Sequence, residues 1–181
     1  MHIAVGSDHA GYDLKAALAD HLAAAGHQVD DLGTGNATDS VDYPDFGAAV
    51  GRAVTEGPAD LGVCVCGTGI GIAIAANKVP GVRAAVVHDV TTATLAREHN
   101  HANVVCFGGR TTGAATALDA LDAFLAAAPR HGRHDRRIEE IAGLERAATT
   151  TGGATTTGGA TAATGASGAA RPDPVAAGGT R

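Results

Sequence analysis

Short apolar runs alternate with longer helical patterns along roughly the first four-fifths of the chain. Runs at His2–Gly6, Gln28–Leu32, Leu61–Cys66, Arg83–Val87 and Val104–Phe107 have the length of strands. They are near-continuously apolar, the pattern of strands covered on both faces. Between and after them lie helical patterns at Gly11–Ala25, Pro44–Glu56, Ile70–Asn77, Val90–His99 and Gly113–Ala127. Gly26 follows the first as a C-terminal stop, and Pro44 suits the first turn of the second. A sixth helix is predicted over Asp135–Ala147, with Ile138, Ile141 and Leu144 on one stripe.

This alternation predicts a Rossmann-like, three-layer α/β/α sandwich built on a five-stranded parallel sheet, plus a C-terminal helix. Sites in such folds lie beyond the carboxyl ends of the strands. That rule selects Ser7–Ala10, Gly33–Tyr43, Cys66–Gly71, His88–Asp89 and Gly108–Arg110.

Composition changes the picture at the C-terminal end. From about Ala147 the chain is rich in Thr, Gly and Ala, with no aliphatic larger than Val175 and no aromatic. Such a segment cannot offset its chain entropy by burial. One domain over 1–146 is therefore expected, followed by a disordered tail over 147–181. The formal charge of −6, with Lys15 and Lys78 the only lysines, argues against nucleic-acid binding. Basic charge is concentrated in RHGRHDRR, Arg130–Arg137. No apolar run reaches the roughly 18 residues of a membrane span, and the first strand begins at once, so neither a span nor a signal peptide is expected. Three cysteines without CxxC spacing suggest reduced thiols in a cytoplasm.

The densest chemistry lies in Cys64–Lys78, CVCGTGIGIAIAANK. A phosphate loop is poorly matched: there is no GK[ST], and the glycines run GxGxG after the third strand. Zinc fits less well, since no second cysteine pair stands at ligand spacing. A buried turn, with Cys66 as a small hydrophobe, is the ordinary alternative. The reading that uses every residue is a thiol at the lip of a nest of backbone N–H groups. Such a thiol could deprotonate a carbon whose charge falls on an oxygen held by those amides. A helix N-terminus lowers a cysteine's pKa from about 8.5.

Elsewhere, Asp8 in GSDHAG is placed to cap the next helix, and His9 beside it should face the same crevice as Cys66. His99 and His101 have the HxH spacing of metal ligands but no carboxylates near them, so one of the two reads better as a general acid or base. Arg133 and Arg137 stand four apart and crowd a helix start, where the dipole disfavours cations; an external anion would resolve that conflict.

Taken in order, DHAG (Asp8–Gly11), DYP (Asp42–Pro44), CGTGIGIAIAANK, REHN (Arg97–Asn100), FGGR (Phe107–Arg110) and GRHDRR resemble the ribose-5-phosphate isomerase B family. That family also contains galactose-6-phosphate and allose-6-phosphate isomerases. The resemblance covers essentially all of 1–146. It implies metal- and cofactor-free aldose–ketose isomerisation of a phosphorylated sugar, by a homodimer or a pair of dimers with active sites at the subunit interface. Cys66 would then be the base, shuttling a proton between C1 and C2 through an enediolate. Thr68 and the amides of Gly67, Gly69, Ile70 and Gly71 would stabilise it. His99 would open the sugar ring, with Asp8, Tyr43 and Asn100 contacting hydroxyls. Phosphate would meet His9, Arg110, Arg133 and Arg137, some of these arginines crossing from the partner. One branch of the family replaces the cysteine by a glutamate at the position of Ile72; this chain is of the cysteine type.

Ribose 5-phosphate is the expected substrate, with erythrulose 4-phosphate, allose 6-phosphate and galactose 6-phosphate as alternatives that obey the same reaction logic. A non-catalytic flavodoxin-like or phospho-receiver module shares the strand–helix alternation. A receiver, however, would need an acidic pair, a phosphorylatable Asp and a lysine where this chain has Asp8, Cys66 and Arg110. A flavin module would want aromatic stacking partners, and the chain has no Trp and two Tyr.

Overall fold

A computed structural model describes residues 1–152 of the chain. Five strands, β1 (His2–Ser7), β2 (Gln28–Asp31), β3 (Leu61–Cys66), β4 (Ala84–Val86) and β5 (Val104–Gly108), form one parallel sheet. Six helices accompany them: α1 (Tyr12–Ala24), α2 (Tyr43–Thr55), α3 (Ile70–Ala76), α4 (Val90–Asn100), α5 (Ala114–Ala126) and α6 (Arg133–Gly152). The expected three-layer architecture is therefore present. The tail lies outside the described residues from 153 onward. Its first residues continue α6 to Gly152, beyond the helical pattern read from sequence, because no proline or glycine interrupts the run after Ala147.

The strand order is β2-β1-β3-β5-β4. Receiver and flavodoxin-like sheets run 2-1-3-4-5, so the last two strands are exchanged here. The exchange sets the site, because it seats β5 directly beside β3 and pairs Gly108 with Cys66.

Burial follows from the layering. β3 and β5 are buried along their whole length, as apolar strands between two helical layers should be. One face carries Ile3, Val5, Val63, Val65, Val105 and Phe107 against α1, α4 and α5. The other carries Ala4, Cys64, Cys66, Val104 and Cys106 with Val50 of α2 and Ile72, Ala73 and Ala76 of α3. The departure is β2, QVDD, an edge strand with two aspartates and no fully buried residue. At an edge one flank is wet, and charge is tolerated where a central strand would exclude it.

Candidate active site

The strand order reverses between β1 and β3, the place where sheets of this kind form a crevice. A cavity of about 460 Å³ opens there, lined by Asp8, His9, Ala10, Tyr43, Cys66, Gly67, Thr68, Ile70, Gly71 and Arg110. Nine of these ten positions were candidates from sequence, and Ala10 is the addition. Each element contributes what its carboxyl end carries: Asp8 and His9 from β1, Cys66–Gly71 from β3 and its turn, and Arg110 after β5.

The turn after β3 is built around its glycines. Gly69 has φ +77°, and a Cβ there would also lie 2.9 Å from the Phe107 carbonyl carbon. Both the left-handed backbone and the close approach require glycine. The Gly69 amide donates to Cys66 Sγ at 3.2 Å, and the Ile70 amide to Thr68 Oγ1 at 3.4 Å. The next amides, Gly71 and Ile72, belong to the first turn of α3 and have no helical acceptor four residues back. A Cβ on Gly71 would come within 2.7 Å of the Tyr43 ring, so the ring lies flush on this turn. Behind it, Gly109 N–H donates to the Cys66 carbonyl at 2.8 Å and Arg110 N–H to the Gly67 carbonyl at 3.0 Å. The thiol and the turn are thus held as one piece with β5.

Asp8 is nearly fully buried, and its Oδ1 accepts the Gly11 amide at 2.9 Å, so the capping role is real. It lines the cavity as well. His9 Nδ1 accepts the Val41 amide at 3.2 Å. A nitrogen that accepts an N–H carries a lone pair, so the ring proton sits on Nε2.

Four candidates lie away from this cavity within the chain. His99, near the end of α4, stacks on His134 with centroids 4.4 Å apart and planes inclined by 12°. Arg133 opens α6 and Arg137 follows one turn later. Asn100 borders a different hollow, with Asn77, Lys78, Arg83 and Glu145 among its walls. His101 is turned to the Arg130 carbonyl, at 2.8 Å from Nε2, which separates it from His99. His134 was quoted from sequence only as part of GRHDRR. It is buried at the start of α6, and burial first, then the nearby His99, Arg133 and Arg137, lower its pKa.

Two groups of apolar side chains stand exposed beside these features. Ile70, at the rim of the cavity, and Ile74 one turn further along α3 are 55% and 58% exposed, and Leu144 on α6 is 74% exposed.

Residues 3–141 match the family described as Ribose/Galactose Isomerase. Ribose-5-phosphate isomerase B of Escherichia coli is 43% identical over 143 residues, covering 79% of this chain and 95% of that protein. Among solved structures, ribose-5-phosphate isomerase B of Clostridium thermocellum is 49% identical with a TM-score of 0.80, covering 82% of this chain and 99% of that one. The Mycoplasma genitalium enzyme, solved with ribulose 5-phosphate bound, is 42% identical with a TM-score of 0.76, covering 80% and 96%.

Proposed function

The chain belongs to the ribose/galactose isomerase family, and from that premise we propose that it interconverts ribose 5-phosphate and ribulose 5-phosphate, with Cys66 as the base. The observation that carries the residue assignment is the position of Cys66. Its sulfur faces a glycine turn of donors at the wall of a cavity that also holds Asp8, His9 and Arg110.

In this reading the Cys66 thiolate removes the proton from C2 of the open-chain aldose. The C2–H electrons become the C1–C2 double bond, and the aldehyde oxygen takes the negative charge. Donors fixed before the reaction, Thr68 and the amides of the turn, hold that oxygen at no reorganisation cost. Proton return to C1, with transfer between the two oxygens, yields the ketose. Asp8 and Tyr43 orient the hydroxyls, and His9 and Arg110 receive the phosphate.

The remaining groups come from a second copy of the chain. His99, Asn100, Arg133 and Arg137 are outside the cavity, yet His99 stacks on the residue next to Arg133. Ring-opening histidine and phosphate arginines therefore form a single patch. A two-fold axis would place each patch over the other copy's cavity and cover the exposed Ile70 and Ile74 in the same contact. The protein is accordingly a homodimer, alone or paired as a dimer of dimers, that works without a metal or cofactor in the cytoplasm.

The test is a coupled assay over ribose 5-phosphate, allose 6-phosphate, galactose 6-phosphate and erythrulose 4-phosphate. The highest kcat/KM is expected for ribose 5-phosphate. Preference for a six-carbon sugar would reassign the substrate, and turnover of none would remove the catalytic reading.

A further inference from the structure

Lys15 is one of only two lysines in the chain, and it is buried to 1% exposure on α1. Lysine is almost never buried so fully unless paired. All three of its donors are used: Asp31 Oδ1 and Oδ2 each lie 2.7 Å from Nζ, and the Thr34 carbonyl lies at 2.9 Å. The ammonium also sits 5.1 Å from the centre of the Tyr12 ring. Lys15 does not line the Cys66 cavity, so it has no direct part in the reaction described above.

A buried ion pair is a poor way to gain stability, since an apolar side chain of similar volume often does as well. An apolar residue could not hold a backbone carbonyl, however, and Lys15 holds that of Thr34. The same Asp31 receives the Gly33 amide at 3.1 Å, and the Thr34 amide donates to the Ser7 carbonyl at 3.1 Å. The loop leaving β2 is therefore tied at its root on three sides. Short braces continue along it. Thr34 Oγ1 donates to the Asn36 carbonyl at 3.4 Å, and Asn36 Oδ1 accepts the amides of Thr38 at 3.0 Å and Asp39 at 2.8 Å. At its far end the Val41 amide meets His9 Nδ1 at 3.2 Å.

We propose that Lys15 is a positioning residue for the site: by anchoring the root of this loop it holds Val41 against His9, and so fixes His9 as a donor through Nε2. The functional consequence rests on the reading above, in which His9 receives the substrate phosphate. A phosphate oxygen accepts hydrogen bonds, so the tautomer with its proton on Nε2 is the useful one. Loss of the anchor would let the ring exchange tautomers without touching Cys66 or its turn.

The experiment uses the full-length protein with ¹⁵N-labelled histidine, its His9 signals assigned by comparison with His9→Gln. In the wild type, Nδ1 should resonate as a bare acceptor nitrogen and Nε2 as a protonated one. In Lys15→Met, both should move toward the averaged tautomer. KM for ribose 5-phosphate should rise about tenfold, the scale of one charge-assisted hydrogen bond, with kcat within about twofold. Asn36→Ala cuts the same loop at its middle brace without opening the core, and should shift the same signals if Lys15→Met does not fold. A folded Lys15→Met with unchanged His9 signals and KM would reduce Lys15 to a packing pair. Unchanged signals in Asn36→Ala would break the route through the loop. Shifted His9 signals with unchanged KM would uphold the positioning role and overturn the assignment of phosphate to His9.

Discussion

Cys64, Cys66 and Cys106 point to one face of the sheet, yet only Cys66 reaches the cavity. Cys64 and Cys106 are neighbours across β3 and β5, and both are sealed under α3. A hydrogen bond with Cys64, then burial, then the thiols around it push the Cys106 thiol well above the ordinary cysteine range. It stays protonated and cannot compete as a base. Cys66→Ala should therefore lower kcat by about 10²- to 10⁴-fold, the usual worth of a positioned proton-transfer group, with substrate binding nearly intact. Cys64→Ala and Cys106→Ala should keep kcat within a few-fold of wild type. Steady-state kinetics and calorimetric titration with ribose 5-phosphate separate these outcomes, and normal turnover by Cys66→Ala would remove the thiol from the mechanism. The residue type and its place at a strand end were readable from sequence because a glycine turn after an apolar run leaves few geometries open. The companions Lys15 and His134 were not singled out. A lysine on a helix reads as solvated until its distant partners Asp31 and Thr34 are known, and a histidine between arginines reads as surface until its burial is seen.

At the scale of elements, alternation of strand and helix was legible, while the order of the strands was not. Hydrophobic pattern says that a strand is buried, but not which neighbour buries it, so the exchange of β4 and β5 that pairs Gly108 with Cys66 had no local signal. β2 was read as apolar because Val29 and Leu32 flank its aspartates, and the edge position that tolerates them is a property of the sheet. α6 offers the clearest element-level test. Its start seats His134 in a buried place beside His99, Arg133 and Arg137, and these together hold its pKa below the ordinary value. The unfolded chain then binds the extra proton first as pH falls below about 6.5, so the stability contributed by seating this histidine is full above that pH and declines below it. Thermal midpoints measured from pH 8 to pH 5 should fall across the acidic half of that range. His134→Gln should flatten the fall, and an unchanged slope would show that the docking of α6 does not depend on this proton.

For the whole molecule the decisive fact is separation. One chain gathers Cys66, its amide turn, Asp8, His9 and Arg110 into a crevice, while His99 and the α6 arginines form a second patch elsewhere. Nothing in residue spacing distinguishes a group that completes its own chain's site from one that completes a partner's, which is why a division of the candidate site between two chains was expected only from the family resemblance, for some of the arginines. If each patch serves the other copy, defects in the two halves must complement. Cys66→Ala chains lack the base but carry an intact patch, whereas Arg133→Ala/Arg137→Ala chains lack the phosphate contacts but carry an intact base. The arginine variant should show a KM raised by roughly tenfold or more per lost charged hydrogen bond, and little turnover at low substrate. After subunit exchange between equal amounts, half the dimers are mixed, and each mixed dimer has one whole site and one doubly damaged site. Activity at low substrate should then recover to about a quarter of the wild-type value. A site completed within its own chain predicts no recovery at any mixing ratio, because every crevice would carry one of the two defects. Native mass spectrometry of the same samples, with one variant ¹⁵N-labelled, counts the mixed dimers and excludes failed exchange as the cause, so an exchanged but inactive mixture would refute the shared site.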